Sequence, residues 1–194
     1  MKKIIIGMSG ASGVVYGIRL LEVLRGLEDV ETHLVMSAAA ATTIGLETEQ
    51  TPEDVKALAD VVYRFKDIAA AIASGSFKTY GMIVMPCSMK TLAGIANSFS
   101  DNLLLRAADV VLKDRRRLIL VARETPLHLG HLRLMTQVTE MGAIVAPPMP
   151  AFYHKPQTID DIVNQTVNRV LDLADIELPQ DLFLRWQGGK PTID

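Results

Sequence analysis

The sequence has one cysteine, Cys87, and one tryptophan, Trp186. A single thiol excludes an internal disulfide framework and suits a reducing cytoplasm. There is no excess of charge of either sign. Twenty Lys and Arg stand against 22 Asp and Glu, a net charge of −2, which leaves no electrostatic case for nucleic acid or an anionic membrane as partner. Hydrophobic residues make up 49% of the chain, yet no apolar run reaches the length of a membrane span. Lys2-Lys3 before a short apolar run faintly resembles a signal peptide, but glycines and a strand pattern follow at once, with no separate small-residue cleavage site. Repeats and low-complexity tracts are missing. So is the GxSxG nucleophile elbow, since the opening turn reads Gly10-Ala11-Ser12-Gly13. His128 and His131 have HxxH spacing without a third ligand nearby, and Asp160-Asp161 is not a repeated magnesium-binding aspartate cluster. No metal site is expected.

What is present is alternation. Apolar runs of strand length recur at 4–8, 32–36, 82–85, 118–122 and 143–146. Helical patterns lie at 13–25, 38–46, 52–59, 67–73, 89–96, 101–114, 127–140 and 159–174. Strands that are continuously apolar are buried on both faces, and interleaved helices make them parallel. The pattern predicts an α/β fold: three layers, a doubly wound, mainly parallel open sheet, in one domain over 1–178 with a tail over 179–194. Abundant Ala and Met in the helical stretches point to surface buried between subunits.

In such a sheet, ligands bind beyond the carboxyl ends of the strands. Those ends carry Ser9 to Gly13, Ser37, Pro86 to Thr91, Arg123-Glu124 and Pro147 through Tyr153. A strand that breaks into a Gly-Ser turn at a helix start can hold a phosphate, because orphan N–H groups and the helix dipole meet there. The spacing of Gly7, Gly10 and Gly13 is GxxGxxG, so the turn says "phosphorylated ligand" without saying which. Ser12, Ser37 and Ser88 with Thr91 place hydroxyls at helix starts. One such serine is better read as a cap, but three at one edge point to a bound phosphate with a large ring beside it.

Several charged residues have two readings. Arg106 and Lys113 share a face of one helix about 10 Å apart. They are a solvated stripe paired with Asp109 and Asp114, or part of a site. Arg123-Glu124 is a structural ion pair, or an anion clamp with a proton donor. The run Arg115-Arg116-Arg117 reads as a solvated helix end. In the last helix, Ile159, Val163, Val167, Val170 and Leu171 define the buried stripe and Asp161, Asn168 and Asp172 the polar face. Arg169 falls on the margin, snorkelling or reaching into a site. Cys87, after a buried strand, reads as a small apolar residue.

Taken in order, the motifs resemble a family. They are Gly10-Ala11-Ser12-Gly13, Ser37, Glu47-Thr48, Pro86-Cys87-Ser88, Arg106 through Lys113, Arg123-Glu124-Thr125-Pro126, Phe152-Tyr153-His154 and Asn168-Arg169-Val170. Together they resemble the UbiX-type flavin prenyltransferases, from the first strand to Arg185-Trp186. The resemblance implies a Rossmann- or flavodoxin-like flavoprotein fold, reduced FMN as prenyl acceptor and dimethylallyl monophosphate as donor. The product would be prenylated FMN, the cofactor of partner decarboxylases of the ubiquinone-pathway type. By position, Gly10, Ala11, Ser12, Ser37, Ser88, Met89, Lys90, Thr91 and Arg123 would hold FMN. Arg106, Lys113, Arg123, Tyr153 and Arg169 would surround the donor phosphate, and Glu124 with Ser12 and Glu47 would manage protons. Lys113 is also implied in catalysis, through the departing phosphate. Neighbouring subunits of a homo-oligomer would complete the site, without a metal.

Three alternatives bound this reading. A decarboxylase of the phosphopantothenoylcysteine type would show a late Pro-x-Met-Asn stretch, where this chain has Pro148-Met149-Pro150-Ala151; an aromatic-acid decarboxylase is a related case. An NAD(P) reductase would want a charged selector after the second strand, where Ser37-Ala38-Ala39 stands, and a Tyr-x-x-x-Lys pair. A non-enzymatic flavin-delivery factor would bind FMN without changing it.

Overall fold

The fold is described here from a computed structural model covering residues 1–188. The apolar runs form six strands: β1 Lys2–Met8, β2 Val30–Met36, β3 Val61–Tyr63, β4 Gly81–Cys87, β5 Arg117–Ala122 and β6 Ile144–Val145. All neighbours pair in parallel, in the order β3-β2-β1-β4-β5-β6. The helices are α1 Val14–Arg25, α2 Ala38–Glu47, α3 Pro52–Lys56, α4 Met89–Ala96, α5 Leu103–Lys113, α6 Leu129–Glu140 and α7 Ile159–Leu173.

Side chains on a strand alternate between faces, and this sorts the core into two clusters. Ile4, Ile6 and Met8 of β1, Ile83 and Met85 of β4, and Ile119 and Val121 of β5 pack under α1 and α7. Ile5, Met82, Val84, Leu118 and Leu120 point the other way, into a core shared with α4, α5 and α6. Three layers result. Strand order reverses between β1 and β4, which opens a crevice at their carboxyl ends. Ser9 stitches those two ends together: its Oγ donates to Pro86 O at 3.1 Å and accepts from Ser88 N–H at 2.8 Å.

Several expectations are corrected. The helix expected over 67–73 is a series of turns with one 3-10 turn, Ala71–Ala73. The three-residue edge strand β3 is additional, and α3 ends at Lys56 rather than at 59. Gly7 belongs to β1, not to the turn, and a side chain there would press on Leu104 of α5. Ile159 is 77% exposed because it occupies the first turn of α7, beyond the edge of the core. Asn168, assigned to the polar face, is 1% exposed; its Oδ1 accepts the backbone N–H of Leu182 at 2.7 Å and so anchors the segment after α7. Of the Arg115–Arg117 run, only Arg115 is a solvated helix end. Arg116 donates to the carbonyls of Gly75 and Phe77, to Thr79 Oγ1 and to Asp114, clamping the segment before β4. Arg117 opens β5 and pairs with Asp175. Of the tail, residues 189–194 lie outside the described part.

Candidate functional site

A cleft of about 650 Å3 opens where β1, β2 and β4 end. That size falls within the range of small-molecule and cofactor sites. Ser9, Gly10, Ser37, Ser88, Lys90 and Thr91 line one side. Ser37 Oγ caps α2 by accepting Ala40 N–H at 3.1 Å, and Ser88 Oγ caps α4 by accepting Thr91 N–H at 3.3 Å. Both serines thus cap and also face the cleft. First-turn N–H groups lack intrahelical partners, and Ala38, Ala39 and Lys90 from those turns line the space. Two helix dipoles add partial positive charge. At Gly10 a Cβ would collide with that of Ala39, so only glycine lets the β1 loop close against the start of α2. Met89 turns inward instead and is part of the core beneath α4.

The opening turn is arranged differently from a phosphate loop. Gly13, with φ of 96°, is the N-cap of α1 and supplies no side chain. The Glu47 carboxylate fills that role from the end of α2: its Oε2 accepts Gly13 N–H at 2.8 Å and Val14 N–H at 3.1 Å. These orphan donors are therefore already satisfied. Partial burial alone would raise the Glu47 carboxyl, but the Ser12 hydroxyl, the two backbone N–H groups and the nearby Arg123 charge outweigh it and hold it below its usual range. Ser12, Glu47 and Arg123 are thus brought together. Ala11 N–H turns back to Ser9 O, keeping the turn tight.

Arg123 follows β5, and its N–H donates to Cys87 O at the end of β4. Glu124 is exposed, and its Oε1 accepts Thr125 N–H at 3.0 Å. The two side chains therefore face different partners. Cys87 is fully buried and its thiol is pushed up to about 12, which fits the apolar reading. His128 caps α6 by accepting Gly130 N–H at 3.0 Å.

The remaining cations lie on separate elements of one subunit. On α5, Arg106 donates to Ala73 O and pairs with Asp109 at 2.8 Å, while Lys113 pairs with Asp114 at 3.1 Å. Tyr153 and Arg169 share a second hollow of about 500 Å3 with Phe183, Arg185 and Trp186. Neither Arg106, Lys113 nor Arg123 reaches that hollow. Phe65, Asn97, Phe99 and Asn102 complete the first cleft and were not anticipated. Asn102 had a usable signal, an Asn directly before an apolar helical run, and it does cap α5 by accepting Leu105 N–H at 3.1 Å.

Known proteins share this arrangement over nearly the whole chain. The Flavoprotein family model matches residues 1–171. The flavin prenyltransferase UbiX of Escherichia coli (strain K12) is 64% identical over 189 residues, covering 97% of this chain and 100% of that protein. Its counterpart in Thauera aromatica is 59% identical over 188 residues, covering 97% of this chain and 95% of the relative. Among solved structures, a dodecameric FMN-dependent UbiX-like decarboxylase from Escherichia coli O157:H7 aligns with a TM-score of 0.93 at 55% identity, over 96% of this chain and 100% of that one. AnUbiX (PadA1), solved with FMN and dimethylallyl pyrophosphate, aligns with a TM-score of 0.92 at 53% identity, over 97% and 99% of the two chains. The chain belongs to the flavoprotein family and, within it, to the UbiX-type flavin prenyltransferases.

Proposed function

We propose that this chain transfers a dimethylallyl group from dimethylallyl monophosphate to N5 and C6 of reduced FMN, making prenylated FMN for a partner decarboxylase. The observation that carries this reading is near full-length identity of 64% to a flavin prenyltransferase. The cleft at the sheet edge fits FMN: two helix starts and the hydroxyls that face the cleft suit its phosphate, and Phe65, Phe99 and Leu105 give apolar walls for a ring. When bound, reduced FMN supplies the nucleophilic nitrogen and the ring carbon that take the prenyl unit.

The chain's residues supply the rest. Ser37, Ser88, Lys90 and Thr91 hold the FMN phosphate, with Gly10 allowing its close approach. As the C1–O bond of the donor breaks, a monophosphate leaves, and Arg106, Lys113, Arg123, Tyr153 and Arg169 neutralise its charge away from water. Bidentate Arg contacts suit its oxygens. Glu124, exposed and without a charged partner among the described residues, accepts the proton lost from C6, or the departing phosphate does. Glu47, kept ionised by α1, orients the Ser12 hydroxyl rather than donating a proton itself.

The phosphate ligands are spread over separate elements of one subunit, so their convergence requires neighbouring copies. Leu129 and Leu132 on α6 and Met149 and Phe152 after β6 leave apolar surface for such contacts. The relative of known dodecameric assembly supports a homo-oligomer. A cytoplasmic location fits the single reduced thiol of Cys87, and no described helix is long and apolar enough to cross a membrane. The reaction uses no metal, since the cationic side chains take its place.

The decisive experiment is mass spectrometry of the flavin after anaerobic incubation of the protein with reduced FMN, the donor and EDTA. Gain of one five-carbon unit is expected; an unchanged flavin refutes the reading. The dodecameric solved relative is described as an FMN-dependent decarboxylase, so carbon dioxide release from an aromatic acid by the pure protein is the competing outcome.

A further inference from the structure

The segment after α7 is fastened by charge as well as by the Asn168–Leu182 hydrogen bond. Arg185 donates from Nη1 to Asp172 Oδ2 and from Nη2 to Asp172 Oδ1, both at 2.8 Å. Its Nε and Nη2 also reach Asp181 Oδ2 and Oδ1 at 2.6 Å. Trp186, next along, sits edge-on to Tyr153 with ring centroids 5.9 Å apart. Aromatic walls and two guanidinium groups make this hollow fit a small apolar group that carries an anion.

One carboxylate there serves two cations. Arg169 Nη1 donates to the same Asp172 Oδ2 at 2.7 Å. Arg169 and Asp172 are three apart on α7, a spacing at which an Arg and a carboxylate on a helix readily pair. A bidentate pair would use two of Arg169's donors and neutralise it. Arg185 occupies both oxygens of Asp172, so Arg169 gets a single contact and its Nε and Nη2 stay clear of Asp172.

We infer that Arg185 is a positioning residue for Arg169: by holding both oxygens of Asp172, it stops that carboxylate from closing on Arg169 and keeps Arg169 donors available to the donor's phosphate. This rests on the proposed placement of that phosphate at Arg169. The hydrogen bonds from Arg185 are also the main cause holding the Asp172 carboxyl below its usual range.

The test is calorimetric titration of dimethylallyl monophosphate into the oligomeric protein loaded with oxidised FMN, which binds donor without turning it over. Wild type should bind saturably and R169A at least about tenfold more weakly. R185A should lose about tenfold, and R185K, which keeps one cation on Asp172 with fewer contacts, should fall between. The double variant R185A/D172N removes the carboxylate that would capture Arg169, so its affinity should return to within about threefold of wild type. In turnover, KM for the donor should rise more in R185A than kcat falls. The emission of the sole tryptophan, Trp186, shows whether the segment stays seated, which the Asn168 bond should ensure. Wild-type affinity in R185A overturns the inference, and so does a double variant as weak as R185A, because Arg185 would then only pack the segment. If R169A itself binds like wild type, the placement of the donor phosphate fails, a distinct result that also removes this inference.

Discussion

The Glu47 carboxylate lies outside the helix it caps, so its contribution can be removed without touching α1. In Glu47→Ala, the Gly13 and Val14 N–H groups lose their acceptor. Loss of a side-chain N-cap costs about 0.5–2 kcal/mol, and loss of a negative charge at a helix start adds about 0.3–1 kcal/mol. Glu47 is exposed, so screening keeps the electrostatic part at the low end, and about 1.5 kcal/mol is expected in total. For a chain of this length that is a fall of about 3–6 °C in melting temperature. Glu47→Gln keeps an acceptor and should lose only about 0.5 kcal/mol. The pH dependence follows in sign. The folded carboxyl titrates below its ordinary value of 4.5, so its stabilisation is complete above that value and disappears as pH falls through the depressed one. Wild type should therefore lose its advantage over Glu47→Gln on acidification below about pH 4.5. Differential scanning calorimetry from pH 7 to 3, at fixed protein concentration, measures this. A Glu47→Ala melting temperature within about 1 °C of wild type at pH 7 would refute the capping argument.

Arg169→Ala should retain FMN, judged by its visible spectrum after gel filtration, while prenylation falls about a hundredfold, near 3 kcal/mol of barrier; full turnover would remove Arg169 from the site. Cys87, buried with its thiol pushed up to about 12, should resist a thiol reagent in the native protein at pH 8 and react fully in denaturant. Rapid native labelling would show that the end of β4 opens in solution. Gly10→Ala should weaken FMN retention more than it lowers stability, because the added methyl meets Ala39 at the mouth of the cleft.

The central sheet was readable because strands buried on both faces leave continuous apolar runs, as in Ile4–Met8 and Leu118–Ala122. β3 was missed because a three-residue edge strand leaves no such run. The Ala-rich stretch before Gly75 looked helical, yet Arg116, roughly 40 residues on, draws the carbonyls of Gly75 and Phe77 into a clamp. Helical period alone misplaced Asn168, because its partner is a backbone N–H fourteen residues away. At the site, topology places Gly10, Ser37, Ser88 and Thr91, after β1, β2 and β4, on one cleft, but Arg123 and Glu124 after β5 and Tyr153 after β6 do not line it. What the opening turn does with its donors was not legible. Glu47 takes them from another helix, a tertiary choice that spacing does not encode.

Asn168 holds residue 182 by its main chain, and this divides what can vary nearby. The side chain at 182 packs against the core and is held to apolar types by that contact, whereas the bond to Asn168 asks only for its amide hydrogen. Proline is barred there on the second ground, having no hydrogen to give. The amide at 168 has no such latitude, for any replacement that cannot accept would leave that donor without its partner.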